Sequence, residues 1–111
     1  MQITFKTTKL GKLCASAKKL QKSYGEKNSK LIKVRLEVLK SALNLAEIPT
    51  EPPFRLHRLQ GKRKGEYAVD IGVRLRLVFK PDYDPVPRKN DGGIDKEKIT
   101  KINVIDIVDY H

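Results

Sequence analysis

The side chains able to carry chemistry in this sequence are few. There are four tyrosines and one cysteine, together with two histidines, His57 and His111. No His, Cys, Asp or Glu cluster falls at metal-ligand spacing, and no glycine loop is built to cradle a phosphate. Cys14 lies on the apolar stripe of a predicted helix, where a packed thiol is the better reading than a nucleophile. A lone cysteine also leaves no intramolecular disulfide, so a reducing, cytoplasmic setting is expected.

What remains is a set of arginines near imidazoles and a phenol. Alternation along "RLRLVFK" puts Arg74 and Arg76 on one strand face with Val78, and Leu75, Leu77 and Phe79 on the other. In "FRLHRL", His57 sides with Arg55 and Leu59. In "IVDYH", Asp109 and His111 share a face and Tyr110 points oppositely unless the end of the strand twists. Such groups suit metal-independent cleavage of RNA. A base takes the 2′-hydroxyl proton, that oxygen attacks the neighbouring phosphorus, and an acid protonates the leaving 5′-oxygen. An arginine stabilises the charge that builds on phosphorus. Each residue also has a plainer reading: a satisfied edge histidine, a solvated "GKRKG" turn, exposed arginines on an amphipathic strand. Taken singly, they support a basic, anion-binding α+β domain.

These residues need elements to hold them. At 111 residues the chain is most simply one domain, residues 1–111, with room for one core. "MQITF" alternates as a first strand. Leu10, Leu13, Cys14, Ala17 and Leu20 follow helical spacing from a Thr7 or Thr8 cap to Gly25. Leu31, Val34, Val38, Ala42 and Leu45 mark a second helix over about Ser29 to Leu45, and the two read as an antiparallel hairpin joined at "YGEKN". "IPTEPPF" ends helical structure. "FRLHRLQ", "EYAVDIG", "RLRLVFK" and "KITKINVIDIVDYH" read as strands. Gly72 and Val73 alone separate the middle pair, and "PDYDPVPRKNDGGID" is an irregular loop. The last strand is apolar on both faces between Val104 and Val108, which predicts a central place in the sheet. The expected fold is α+β: an N-terminal strand and helical hairpin packed on a mostly antiparallel, twisted sheet.

The net charge of +11 is unevenly placed. Residues 1–47 carry +8 and residues 48–80 carry +5, while residues 81–111 carry −2. A polyanionic partner, nucleic acid or an acidic protein segment, is the natural expectation. No run reaches membrane-spanning length, and "MQITFKTTKL" lacks the apolar stretch of a signal peptide.

The wording of the second half is more specific. "PPFRLHRLQGKRKGEYAVDI", "RLRLVFKP", "DPVPRKNDGGID" and "IVDYH", with the "KLQKSYG" helix before them, resemble the HigB-like branch of the RelE/ParE toxin superfamily. The resemblance covers nearly the whole chain, and its most specific parts are the Leu-His-x-Leu-x-Gly-x-Arg-Lys-Gly run and the Asp-Tyr-His ending. It implies a RelE-like fold and the toxin of a type II toxin–antitoxin pair, a ribosome-dependent endoribonuclease that cuts mRNA in the A site with no metal or other cofactor. The implied partners are the ribosome, mRNA and a cognate antitoxin, a helix-turn-helix protein encoded by an adjacent gene. By position, His57, Arg76, Asp109, Tyr110 and His111 would form the catalytic group. Lys62, Arg63 and Lys64 would hold RNA backbone, with Arg58 and Arg74 as further contacts. Gln60 departs from relatives that carry a basic residue there, and the loop from Pro81 to Glu97 is longer than in compact members. The superfamily leaves two alternatives standing: a non-enzymatic inhibitor of DNA gyrase of the ParE kind, and a catalytically inactive RNA-binding relative. On the nuclease reading the chain end belongs to the active site, so deleting His111 or extending past it is expected to damage activity more than stability.

Overall fold

A computed structural model describes residues 1–110. Strand β1 (Gln2–Phe5) leads into helix α1 (Thr8–Ala15), whose first turn is capped by Thr7, its hydroxyl accepting the Leu10 amide at 3.0 Å. The first predicted helix is in fact two. Ser16 leaves helical geometry and its hydroxyl accepts the Lys19 amide at 3.1 Å, so it ends α1 and starts α2 (Ala17–Ser41). The hairpin joint is correspondingly tighter than "YGEKN" suggests. Gly25 alone turns the chain, at φ 86° and ψ 168°, and helical geometry resumes at the next residue. That backbone region belongs almost exclusively to glycine. The second arm ends at Ser41 rather than Leu45, and Leu45–Glu47 forms a short 3-10 turn capped by Asn44.

The remaining strands are β2 (His57–Arg58), β3 (Tyr67–Ile71), β4 (Leu75–Pro81) and β5 (Lys101–Asp109). They form one sheet in the order β1-β5-β4-β3-β2, with β5 central as expected. Only the β1–β5 pairing is parallel; the other three are antiparallel. The predicted strand "FRLHRLQ" shrinks to two residues. Arg55 takes a positive φ of 51°, and the buried Leu56 turns its amide to the Pro49 carbonyl. The outer edge of β3 is satisfied at Asp70 instead by Phe54 and Arg35: its amide donates to the Phe54 carbonyl, and its carbonyl accepts from Arg35 Nε at 2.8 Å.

The β3–β4 loop has three residues, not two. Ile71 pairs with Leu75, which puts Gly72, Val73 and Arg74 in the turn and takes Arg74 out of the strand. In β5, the register jumps from Phe79–Val104 to Val78–Asp106, leaving Ile105 without a partner in β4. The bulge explains why both faces of this strand read as apolar. Before it, Ile102 and Val104 join the core; after it Ile107 does, and Asp106 and Val108 turn to the other face. One cluster fills the space between helices and sheet, with Leu20, Ile32 and Leu39 packed with Tyr67, Val69, Leu77 and Phe79. Cys14 belongs to it, and burial pushes its thiol up to about 11, consistent with a packing role.

A candidate RNA-cleavage face

The sheet face turned away from the helices holds most of the candidate chemistry. Cross-strand partners share a face, so two rows can be read directly from the register. One runs His57, Ala68, Val78, Asp106; the next runs Asp70, Arg76, Val108. Ala68 and Val78 are fully buried yet lie outside the helix-side core. The chain between β2 and β3 folds near this face: Leu59 bonds back to Glu66, and Gly61–Arg63 makes a 3-10 turn where a plain basic turn was expected. Between that segment and the strands lies a groove of about 260 Å³, lined by Leu59, Lys62, Arg63, Arg76, Val108 and Tyr110 among others.

Arg76 is the fixed cation of the groove. Its side chain is only 18% exposed, and its Nε lies 3.7 Å from Asp70 Oδ1. Its guanidinium carbon sits 3.4 Å from the centre of the Tyr110 ring. A guanidinium stacked on an aromatic face and held by a carboxylate keeps little rotamer freedom. Tyr110 is brought to this face by continued pairing past β5, its amide donating to the Arg74 carbonyl. Tyr110 as a whole stays 54% exposed.

Arg63, expected as a backbone contact, is committed to the protein as well. It donates to Glu66 at 2.9 Å and to Asp106 at 3.1 Å. The Glu66 hydrogen bond is the first cause that raises its pKa, partly offset by desolvation. Lys62 and Lys64 flank it as exposed residues. Arg74 and Asp109 form an exposed pair at 3.6 Å beside the β3–β4 turn, with Asp109 opposite Leu75 rather than on the Arg76 face. Arg58 pairs in register with Tyr67 and so lies on the face opposite His57. It is close enough to act on the Tyr67 hydroxyl, whose pKa burial raises while Arg58 and Arg88 oppose. His111 lies outside the described residues.

His57 shares the face but sits on β2, two strands away from Arg76 on β4. Its Nδ1 is 2.6 Å from the Arg55 carbonyl, and a carbonyl only accepts, so the imidazole proton belongs on Nδ1. Its Nε2 is enclosed without a hydrogen-bond partner. Among the described residues, no group of three or more His, Cys, Asp or Glu side chains is placed to hold a metal ion.

Two side chains that hold the arginines of this face escaped sequence reasoning. Asp70 serves two arginines, Arg76 and, at 3.5 Å, Arg55. Asp106 holds Arg63 and also caps the Ile107 amide at 2.8 Å with its own carboxylate. A three-residue turn would have paired Asp70 with Arg76 on paper; the two-residue reading set Asp70 against Leu75 and hid the contact.

The architecture defines a class: a helical hairpin on one face of a five-stranded mixed sheet, with a basic groove on the other. No family model matches the chain, and no curated protein matches it. Solved structures do. A YoeB/ParE toxin from Agrobacterium tumefaciens is similar over the whole of both chains, with a TM-score of 0.56 and 12% identity. A YoeB dimer from Staphylococcus aureus is similar over all of this chain and 97% of its own, with a TM-score of 0.53 and 17% identity. The chain therefore has the fold of these toxins.

Proposed function

We propose that this protein is the toxin of a type II toxin–antitoxin pair and a metal-independent endoribonuclease acting on mRNA in the ribosomal A site. The observation that carries the reading is the Arg76–Tyr110 stack at the groove, a held cation beside an exposed phenol, with the His57 imidazole on the same sheet face. The fold shared with YoeB-type toxins and the HigB-like wording of "LHRLQGKRKG" support it. Cleavage needs a proton taken from the 2′-hydroxyl, an O2′–P bond formed as the P–O5′ bond breaks, and a proton given to O5′. We assign His57 the proton transfer from the 2′-hydroxyl, for which its enclosed Nε2 has to turn out toward the substrate. Arg76 faces the charge that develops on the phosphate oxygens. Tyr110, with His111 after it, supplies the acid. Asp109, paired with Arg74, steadies the end of β5. Lys62 and Lys64 grip backbone, and Arg63 shapes the turn that carries them. A cognate antitoxin, a helix-turn-helix protein encoded by an adjacent gene, would hold this activity in check.

The test is cleavage of a translated mRNA by purified protein and by its Arg76→Ala and His57→Ala variants. Cleavage at the A site that falls at least a hundredfold in Arg76→Ala supports the reading. Undiminished cleavage in both variants overturns it. A gyrase inhibitor is the second reading, because the similar A. tumefaciens structure carries the joint name YoeB/ParE and the fold alone does not separate the two activities. Inhibition of supercoiling with no mRNA cleavage would select it.

A further inference from the structure

A concavity larger than the candidate cleavage groove lies elsewhere on the molecule. It lies on the other flank of β5, between that strand and the two short helical stretches on either side of Ser16, with a volume of about 740 Å³. Its lining combines two kinds of side chain. Leu10, Leu13, Tyr24 and Ile105 contribute apolar surface, all of them only half-buried. Lys9, Lys12, Lys19 and Lys22 line it too; all four are exposed, and none forms an ion pair among the described residues.

Ile105 is the telling residue. It is the extra residue of the bulge, with no register partner in β4, and β1 has already ended opposite Val104. A branched apolar side chain on a central strand would ordinarily go to the core, yet Ile105 is absent from the buried cluster and lines this groove. Beyond it the flank of β5 has no neighbouring strand, and the Ile107 amide is closed off by the protein's own Asp106. An apolar floor of this kind with a cationic rim is matched by the opposite pattern on a partner.

We propose that this groove is a docking site for an acidic amphipathic segment of a protein partner: large apolar side chains on Leu10, Leu13 and Ile105, and carboxylates toward the four lysines. Nucleic acid fits less well. Single strands bind by stacking on aromatic platforms along a positive track, whereas Tyr24 is the single aromatic in this lining and its other apolar residues are aliphatic. Asp106 lines the groove and also holds Arg63, so the groove abuts the cleavage face through one side chain. The inference stands whether or not the chain is a nuclease.

The experiment is an amide NMR titration of the full chain with three probes: a synthetic helix-forming peptide with a Leu face flanked by Glu, the same peptide with every Glu replaced by Lys, and oligouridylate RNA. The acidic peptide is expected to shift the Leu10, Leu13, Tyr24 and Ile105 amides, and the basic peptide to leave them in place. Lys12→Glu with Lys22→Glu should weaken the acidic peptide at least tenfold, and Ile105→Ala should weaken it with the spectrum otherwise native. Lys12 and Lys22 are exposed and Ile105 lies outside the buried cluster, so the variants are expected to keep the fold. The proposal fails if the acidic peptide shifts nothing at millimolar concentration, or shifts residues elsewhere. It fails equally if RNA shifts the groove amides and displaces the peptide, which would make the groove a nucleic-acid site.

Discussion

Arg76 is constrained from two directions, by the Tyr110 ring on one side and the Asp70 carboxylate on the other. Its contribution should therefore come from being in place before substrate arrives. Lysine keeps the charge but has neither the flat stacking surface nor the forked donors. Arg76→Lys is expected to lose a hundredfold or more in mRNA cleavage, roughly 2.7–4 kcal/mol of transition-state stabilisation. Asp70→Asn keeps Arg76 itself and removes the carboxylate that anchors it and also pairs with Arg55. It should lower the cleavage rate about tenfold with KM nearly unchanged, and cost at most about 1 kcal/mol of stability. Equal rates for Asp70→Asn and the parent protein would mean the carboxylate does not position the guanidinium. Strand alternation and family wording both pointed at Arg76, whereas Tyr110 was reached through the family wording alone, since alternation set it opposite to Asp109 and His111. Asp70 was not legible, because a charged residue in a strand reveals its partner only through the exact turn length. A one-residue error in that turn moved the side chain opposite from Arg76 to Leu75.

At the scale of elements, periodicity located both helical arms and all five strands, and local chemistry decided where they break. The apolar stripe runs smoothly across Ser16, so the sequence read as one helix. The serine hydroxyl captured the Lys19 amide and made a cap instead. The bulge at Ile105 left a trace, the two-faced apolar run, but the trace fits a strand buried on both sides equally well. Only the register distinguishes them. The capping and turn residues carry a stability prediction. Ser16→Ala should cost about 1 kcal/mol, the usual loss for a serine N-cap. Gly25→Ala should cost more, about 1–3 kcal/mol, because φ 86° with ψ 168° is a region that a Cβ disfavours, although nothing nearby would clash with it. Urea unfolding followed by circular dichroism checks both. A Gly25→Ala loss smaller than that of Ser16→Ala would contradict the strained-turn account.

For the molecule as a whole, most of the charge of +11 lies away from the candidate chemistry, on residues 1–47. The arginines of the sheet face are largely answered by acids: Arg63 by Glu66 and Asp106, Arg74 by Asp109, Arg55 and Arg76 by Asp70. The helices carry the excess, with residues 1–47 at +8, and Lys18, Lys27 and Lys33 on their outer surface are exposed and make no ion pair among the described residues. A long polyanion such as ribosomal RNA should therefore be attracted chiefly by the helical side, while the paired face does local work on a phosphate delivered to it. Counterion release makes this measurable, since each phosphate neutralised adds about 0.7–0.9 to the slope of log affinity against log salt. Changing Lys18, Lys27 and Lys33 together to Gln should reduce that slope for structured RNA by up to about 2, from those same per-contact values, with catalysis on bound substrate retained. Arg63→Gln, which removes a cation already balanced by two carboxylates, should leave the slope nearly unchanged and lower thermal stability instead. If Arg63→Gln flattened the salt dependence as much as the triple lysine change, long-range attraction would have to be assigned to the sheet face after all.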